Sequence, residues 1–175
     1  MKIREFTEVD FYECEGNKKI LPQIIFTDPG WFFDTLENGG FKKGYALLKQ
    51  AEYLNERARN IRIPKDDPSQ WRVEYILTVS GEYQSFSIVE NNLPKRTGLE
   101  NVIESDRINM YFPMTLPGYC KEWYIPFMSD LISSLFGKQK KLISGELSEI
   151  FFCDDSNFKN NSNFKLDLPP RRGLL

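Results

Sequence analysis

The chain is expected to be an α+β protein, a small and mainly antiparallel sheet with a central hairpin, covered by two or three helices. Residues 71–90, WRVEYILTVSGEYQSFSIVE, hold two runs of strand period on either side of a Ser-Gly reversal. Residues 43–60 carry Leu47, Ala51, Leu54 and Ala58, continued by Ile61, at helical steps of four and three. Between and beyond these runs, strand and helix patterns do not alternate as a doubly wound fold requires.

In the hairpin, Trp71, Val73, Tyr75 and Leu77 share one face of the first strand, while Arg72, Glu74, Ile76 and Thr78 share the other. A reversal at Ser80-Gly81 sets Val73 against Ile88, Tyr75 against Phe86 and Leu77 against Gln84, with Glu74 opposite Ser87. Sliding the pairing by one residue would put Glu74 against Ile88, a poorer match. A two-stranded ribbon is marginal in water, so its apolar face needs a cover, which the ridge of Leu47, Ala51 and Leu54 is expected to supply.

Taken in order, residues 3–15 alternate loosely, and residues 20–26 form a short apolar run. Asp28-Pro29 then reads as a helix start, with the aspartate capping a free N–H and the proline at the first position, where its missing donor costs nothing. Asn38-Gly39-Gly40 ends that helix. After the long helix and the hairpin, residues 91–98 read as a surface loop and residues 107–112 as a further strand with Ile108 and Met110 on one side. A second clear helix starts at Pro126, carries Met128, Leu131, Ile132 and Leu135, and stops at Gly137. Lys138, Lys140 and Lys141 follow its carboxyl end, where positive charge is favourable. Ser144 caps a last short helix with Leu147, Ile150 and Phe151. Residues 1–153 are therefore expected to form one compact domain, and residues 154–175, rich in Asp, Asn, Ser and Lys, a polar and partly mobile C-terminal tail.

Composition narrows the chemistry. The chain has no histidine, which excludes every mechanism in which it supplies an imidazole as acid, base or ligand. Its net charge of -2 argues against a protein dominated by phosphate contacts. Cys14, Cys120 and Cys153 are odd in number and far apart, neither a disulfide framework nor a ligand set, and are read as partly buried thiols. No run approaches the roughly 18 apolar residues of a membrane span, and the charged N-terminal residues do not resemble a signal peptide, so a cytoplasmic location is expected. No Gly-rich loop has the spacing of a nucleotide site, and no cofactor is expected.

Three binding or catalytic readings remain. The first is a non-enzymatic intracellular interaction or regulatory protein, such as an accessory or inhibitory factor of a microbe or mobile element, with a protein partner. Its candidate residues are Tyr119, Trp123 and Tyr124, bounded by Pro117 and Pro126, because Tyr and Trp make efficient interface anchors. The second is a histidine-free nucleic-acid binder using Lys42, Lys43, Arg57 and Arg59 around the long helix. The third is a Mg- or Mn-dependent nuclease with Glu74 as metal ligand, against which stands a plain ion pair between Glu74 and Arg72. No catalytic residue is assigned, and an open sheet edge leaves room for a homo-oligomer.

Overall fold

The computed structural model of the chain describes residues 6–13, 16–96, 98 and 101–159. In order its elements are β1 (Glu8–Asp10), β2 (Lys18–Ile20), α1 (Leu21–Thr27), α2 (Pro29–Glu37), α3 (Tyr45–Ala58), β3 (Trp71–Leu77), β4 (Tyr83–Glu90), β5 (Asn101–Ser105), α4 (Tyr124–Phe136) and α5 (Gly145–Cys153). The fold is α+β. The described chain divides into two compact units, residues 6–57 with 143–155 and residues 58–142 with 156–159. Cys14 and residues 160–175, most of the expected tail, lie outside the described residues.

The first unit is mainly helical. β1 and β2 pair antiparallel, with Asp10 opposite Lys18. α1 follows at once and buries Leu21, Ile24 and Ile25 completely. It packs against α2 and α5, and its Phe26 ring lies 5.5 Å from the rings of both Phe151 and Phe152. α2 starts as expected: Asp28 Oδ1 accepts the Trp31 N–H at 2.8 Å, and Pro29 holds the first position. Tyr12, the described non-glycine residue with positive φ (59°), donates its hydroxyl to the same carboxylate, and that bond chiefly pushes the phenol up to about 12. The left-handed conformation costs such a residue about 1–2 kcal/mol. At the far end, Ser144 Oγ accepts the Leu147 N–H at 3.2 Å and starts α5. The Phe152 carbonyl in the last turn of α5 accepts from Tyr53 Oη at 3.2 Å and Arg57 Nη1 at 3.0 Å. Both donors come from α3, whose Ala51 and Leu54 are buried as the periodicity requires.

The second unit is built on a three-stranded antiparallel sheet in the order β4-β3-β5. The hairpin register is the expected one from Val73 opposite Ile88 through Ile76 opposite Ser85. It then breaks at a bulge, so that Leu77 meets Tyr83 and not Gln84. The extra residue on β4 leaves Gln84 exposed and turns Tyr83 inward, where its ring lies 5.6 Å from Phe127. Gly81 closes the turn with φ 88°, and its N–H bonds the Thr78 carbonyl at 2.9 Å.

One expectation shifts here. The third strand is β5, five residues with Glu104 opposite Glu74, while the segment around Ile108 contributes only a bridge to Ile61, which also bridges Phe158. The helix packed on the hairpin in this unit is α4; the ridge of Leu47, Ala51 and Leu54 belongs to the first unit. α4 buries Tyr124, Phe127, Met128, Leu131 and Ile132, a stripe at steps of three, one, three and one, and Gly137 ends it with φ 90°. Phe127 sits 5.6 Å from the rings of both Tyr83 and Phe86.

Candidate aromatic site and its alternatives

Gly118, with φ 74°, turns the chain so that the Tyr119 N–H meets the Leu116 carbonyl at 3.2 Å, and a 3-10 turn at Lys121–Trp123 leads into α4. This brings Tyr119, Trp123 and Tyr124 together. The Tyr119 ring lies 6.3 Å from Trp123 and 6.0 Å from Tyr124, in both cases edge to face. The three do not play one role. Tyr124 is buried, donates its hydroxyl to the Met110 carbonyl at 3.0 Å and meets Phe127 edge-on at 5.9 Å. Tyr119 and Trp123 are half-buried, and the Tyr119 ring meets each of the other two. Ile125, which sequence reasoning passed over, is 73% exposed. Its signal was its phase: Tyr124 keeps step with Phe127, Met128 and Leu131, and Ile125 does not.

Glu74 is placed differently. Its side chain is 1% exposed; Oε1 accepts from Arg72 Nε at 3.0 Å and Nη2 at 2.6 Å, and Oε2 lies 3.2 Å from Arg96 Nε. Glu104 stands opposite on β5 and is met by Lys95 at 2.9 Å and Arg72 at 3.4 Å. Two carboxylates directly across a ladder repel one another unless cations intervene. Here three do, two of them from the loop after β4. The loop also fixes the Arg72 fork, since Glu90 and Leu93 carbonyls accept from its Nη1 and Nη2 at 2.9 and 3.3 Å. Among the described residues no group of three or more acidic or cysteine side chains could hold a metal ion. Guanidinium groups occupy the Glu74 oxygens that a cation would need.

The basic positions are likewise engaged locally. Arg57 closes the end of α5, pairs with Asp155 and lies 4.5 Å over the Tyr53 ring, so it acts as a helix-terminal cation. Arg59 stacks on Tyr111 at 3.6 Å. The Lys42 side chain lies across Gly39, where a Cβ would come within 2.7 Å of its Cε. The side chain of Lys43 lies outside the described residues.

Asp130 is a polar site the sequence did not single out. Its Oδ2 accepts the Phe86 N–H at 3.1 Å and the Tyr83 hydroxyl at 3.4 Å, closing part of the outer edge of β4. Burial holds its carboxyl above the ordinary value against the pull of those two donors. The Tyr83 phenol is pushed up by burial first and then by the Asp130 charge. No helix among the described residues is long and apolar enough to cross a membrane. Comparison with known proteins finds no matching family model, no matching curated protein and no matching solved structure.

Proposed function

We propose that this protein acts by binding another protein, in a non-enzymatic regulatory or accessory role, with Tyr119 and Trp123 as its anchors. The observation that carries this reading is the pair of half-buried rings held edge to face, the Tyr119 ring also meeting the buried, hydrogen-bonded Tyr124 edge-on. Rings fixed in place lose little freedom on binding, and two partly exposed aromatics offer a large contact area for that small entropic cost. Arg57, Arg59 and Glu74, by contrast, already have partners suited to them, which favours the aromatic reading over a nucleic-acid or metal site.

The test is affinity purification from the source cell with wild-type protein and a Tyr119→Ala/Trp123→Ala double variant, each partner being quantified. Loss of at least about tenfold in the recovered partner is expected, with the fold checked by thermal melting. Tyr124 is left intact because its removal would disturb the core. Equal recovery by a folded double variant would remove the reading.

A further inference from the structure

The two outer edges of the sheet are finished differently. β4 carries the bulge opposite Leu77, and Asp130 of α4 takes its Phe86 N–H, so that edge is interrupted and partly capped. β5 has no such device. It pairs with β3 alone, and among the described residues no other backbone group bonds to it. Its residues, Asn-Val-Ile-Glu-Ser, include no proline or lysine, and Ile103 is 42% exposed beside Tyr75, on the face that carries the aromatic core. An edge of this kind is a template for another strand unless something covers it.

The ladder fixes which groups of β5 point outward. The Asn91 N–H bonds the Gln70 carbonyl at 2.8 Å, and the Phe86 N–H turns away from β3 to Asp130, so Val73 and Tyr75 direct their backbone groups toward β5. Ser105 and Ile103 stand opposite them and answer those groups. The N–H and C=O of Val102 and Glu104 therefore face away from the sheet. The Glu104 carboxylate does not guard this edge, because Arg72 on β3 holds it at 3.4 Å and Lys95 neutralises it at 2.9 Å.

We infer that β5 pairs antiparallel with β5 of a second copy of this chain, about a two-fold axis at Ile103, joining the two sheets edge to edge. Outward groups must meet outward groups, so the pairing is centred on Val102, Ile103 or Glu104. Centred on Glu104, it sets two carboxylates directly opposite one another. Centred on Val102, it runs Glu104 and Ser105 past the end of the copy's strand and leaves Ile103 against Asn101. Centred on Ile103, it pairs every residue of both strands: each Val102 exchanges both backbone bonds with Glu104 of the copy, and Ile103 covers its own counterpart at the close spacing of a non-hydrogen-bonded pair. This self-complementarity selects the occupant, since the side chain that the edge leaves open is covered by the same side chain and no like charges are opposed. The pairing also closes. The joined sheet ends on β4 at both sides, where the bulge and Asp130 stand. It uses neither Tyr119 nor Trp123, so the protein partner proposed above and the second copy stand or fall separately.

One short strand per copy is a small contact of the transient class, so sedimentation velocity of the full chain is run from about 10 µM to about 500 µM. Wild type should pass from monomer to dimer over that range and form nothing larger. Ile103→Lys sets like charges opposite one another, and Val102→Pro deletes an outward N–H that has no bond among the described residues. Each should weaken dimerisation by at least about tenfold, with the fold checked by thermal melting. Under mild oxidation Ile103→Cys should give more disulfide-linked dimer than wild type, and Asn101→Cys should not, because only the residue on the axis meets itself. A dimer that either folded variant keeps at wild-type strength would overturn the inference, as would equal cross-linking of Asn101→Cys and Ile103→Cys. Growth into larger species would overturn the closed pairing. A wild type that stays monomeric would overturn the second copy as occupant, and loss of a cellular partner by Ile103→Lys and Val102→Pro would then assign the edge to a foreign strand.

Discussion

The two faces of β3 are buried by opposite means. On one, Tyr75 is 1% exposed, stacked on Phe112 at 3.9 Å and edge-on to Phe86, with its hydroxyl accepting the Asn109 N–H at 2.8 Å. On the other, the adjacent Glu74 is also 1% exposed, under Arg72 and Arg96. Hydrophobic burial and close packing stabilise the first face directly. The second returns in Coulomb attraction roughly what desolvation costs, so its contribution lies in selectivity: a one-residue slip would carry Glu74 into the aromatics. Neighbouring residues thus divide the work, one face giving stability and the other fixing register.

The largest effect expected from this contrast is on the aromatic side. Phe127→Ala removes the ring shared by Tyr83, Phe86 and Tyr124 and should cost about 3–5 kcal/mol in urea unfolding. Next, Arg72→Ala strands Glu74 with only Arg96 and should cost about 3 kcal/mol. The double change Arg72→Met/Glu74→Leu, which removes both charges at similar volume, should recover most of that loss. A double variant as unstable as the single one would mean that the charged face contributes stability in its own right, and the division of labour would collapse.

What the sequence revealed follows the same division. Alternation along residues 71–90 was enough to read most of the register, because Val73, Tyr75 and Leu77 make one face apolar throughout while Glu74 marks the other. The bulge was not legible, since the exchange of Gln84 for Tyr83 is decided by Phe127, more than forty residues away. Nor was β5: Val102 and Ile103 are consecutive and show no alternation, and this edge strand is specified by its ladder to β3. Ile108 and Met110 do alternate, yet they owe their burial to a bridge with Ile61. At the site, local bonds could be foreseen, such as Arg72 with Glu74. The clasp of Lys95 and Arg96 could not, because a loop's path over a sheet leaves no periodic trace. The aromatic trio was found by composition, while helical phase would have separated buried Tyr124 from Trp123.

A smaller effect sharpens the aromatic side. Tyr124→Phe keeps the ring against Phe127 but leaves the buried Met110 carbonyl without its donor, and should cost about 1–2 kcal/mol. Partner recovery through Tyr119 should weaken with it if the Tyr124 ring that Tyr119 meets fixes that anchor. Unchanged recovery by a destabilised variant would show that Tyr119 and Trp123 hold their geometry without it.

The smallest effect asks whether the aromatic face contains an electrostatic element of its own. Asp130 carries a carboxyl raised above its ordinary value by burial, opposed by the Phe86 N–H and Tyr83 hydroxyl. Because folding favours its protonated form, its contribution is fully present below the unfolded pKa and is lost as pH rises through the folded one. At pH 7 the charged group therefore costs stability. Asp130→Asn keeps an oxygen for the Phe86 N–H and carries no charge, so the variant should be slightly more stable than wild type at neutral pH. Urea unfolding should show that advantage fading as pH falls toward the ordinary carboxylate range, where both side chains are neutral. An advantage of the opposite sign at pH 7 would mean that the charged acceptor at the β4 edge outweighs its desolvation. The aromatic face would then be held, like its neighbour, partly by charge.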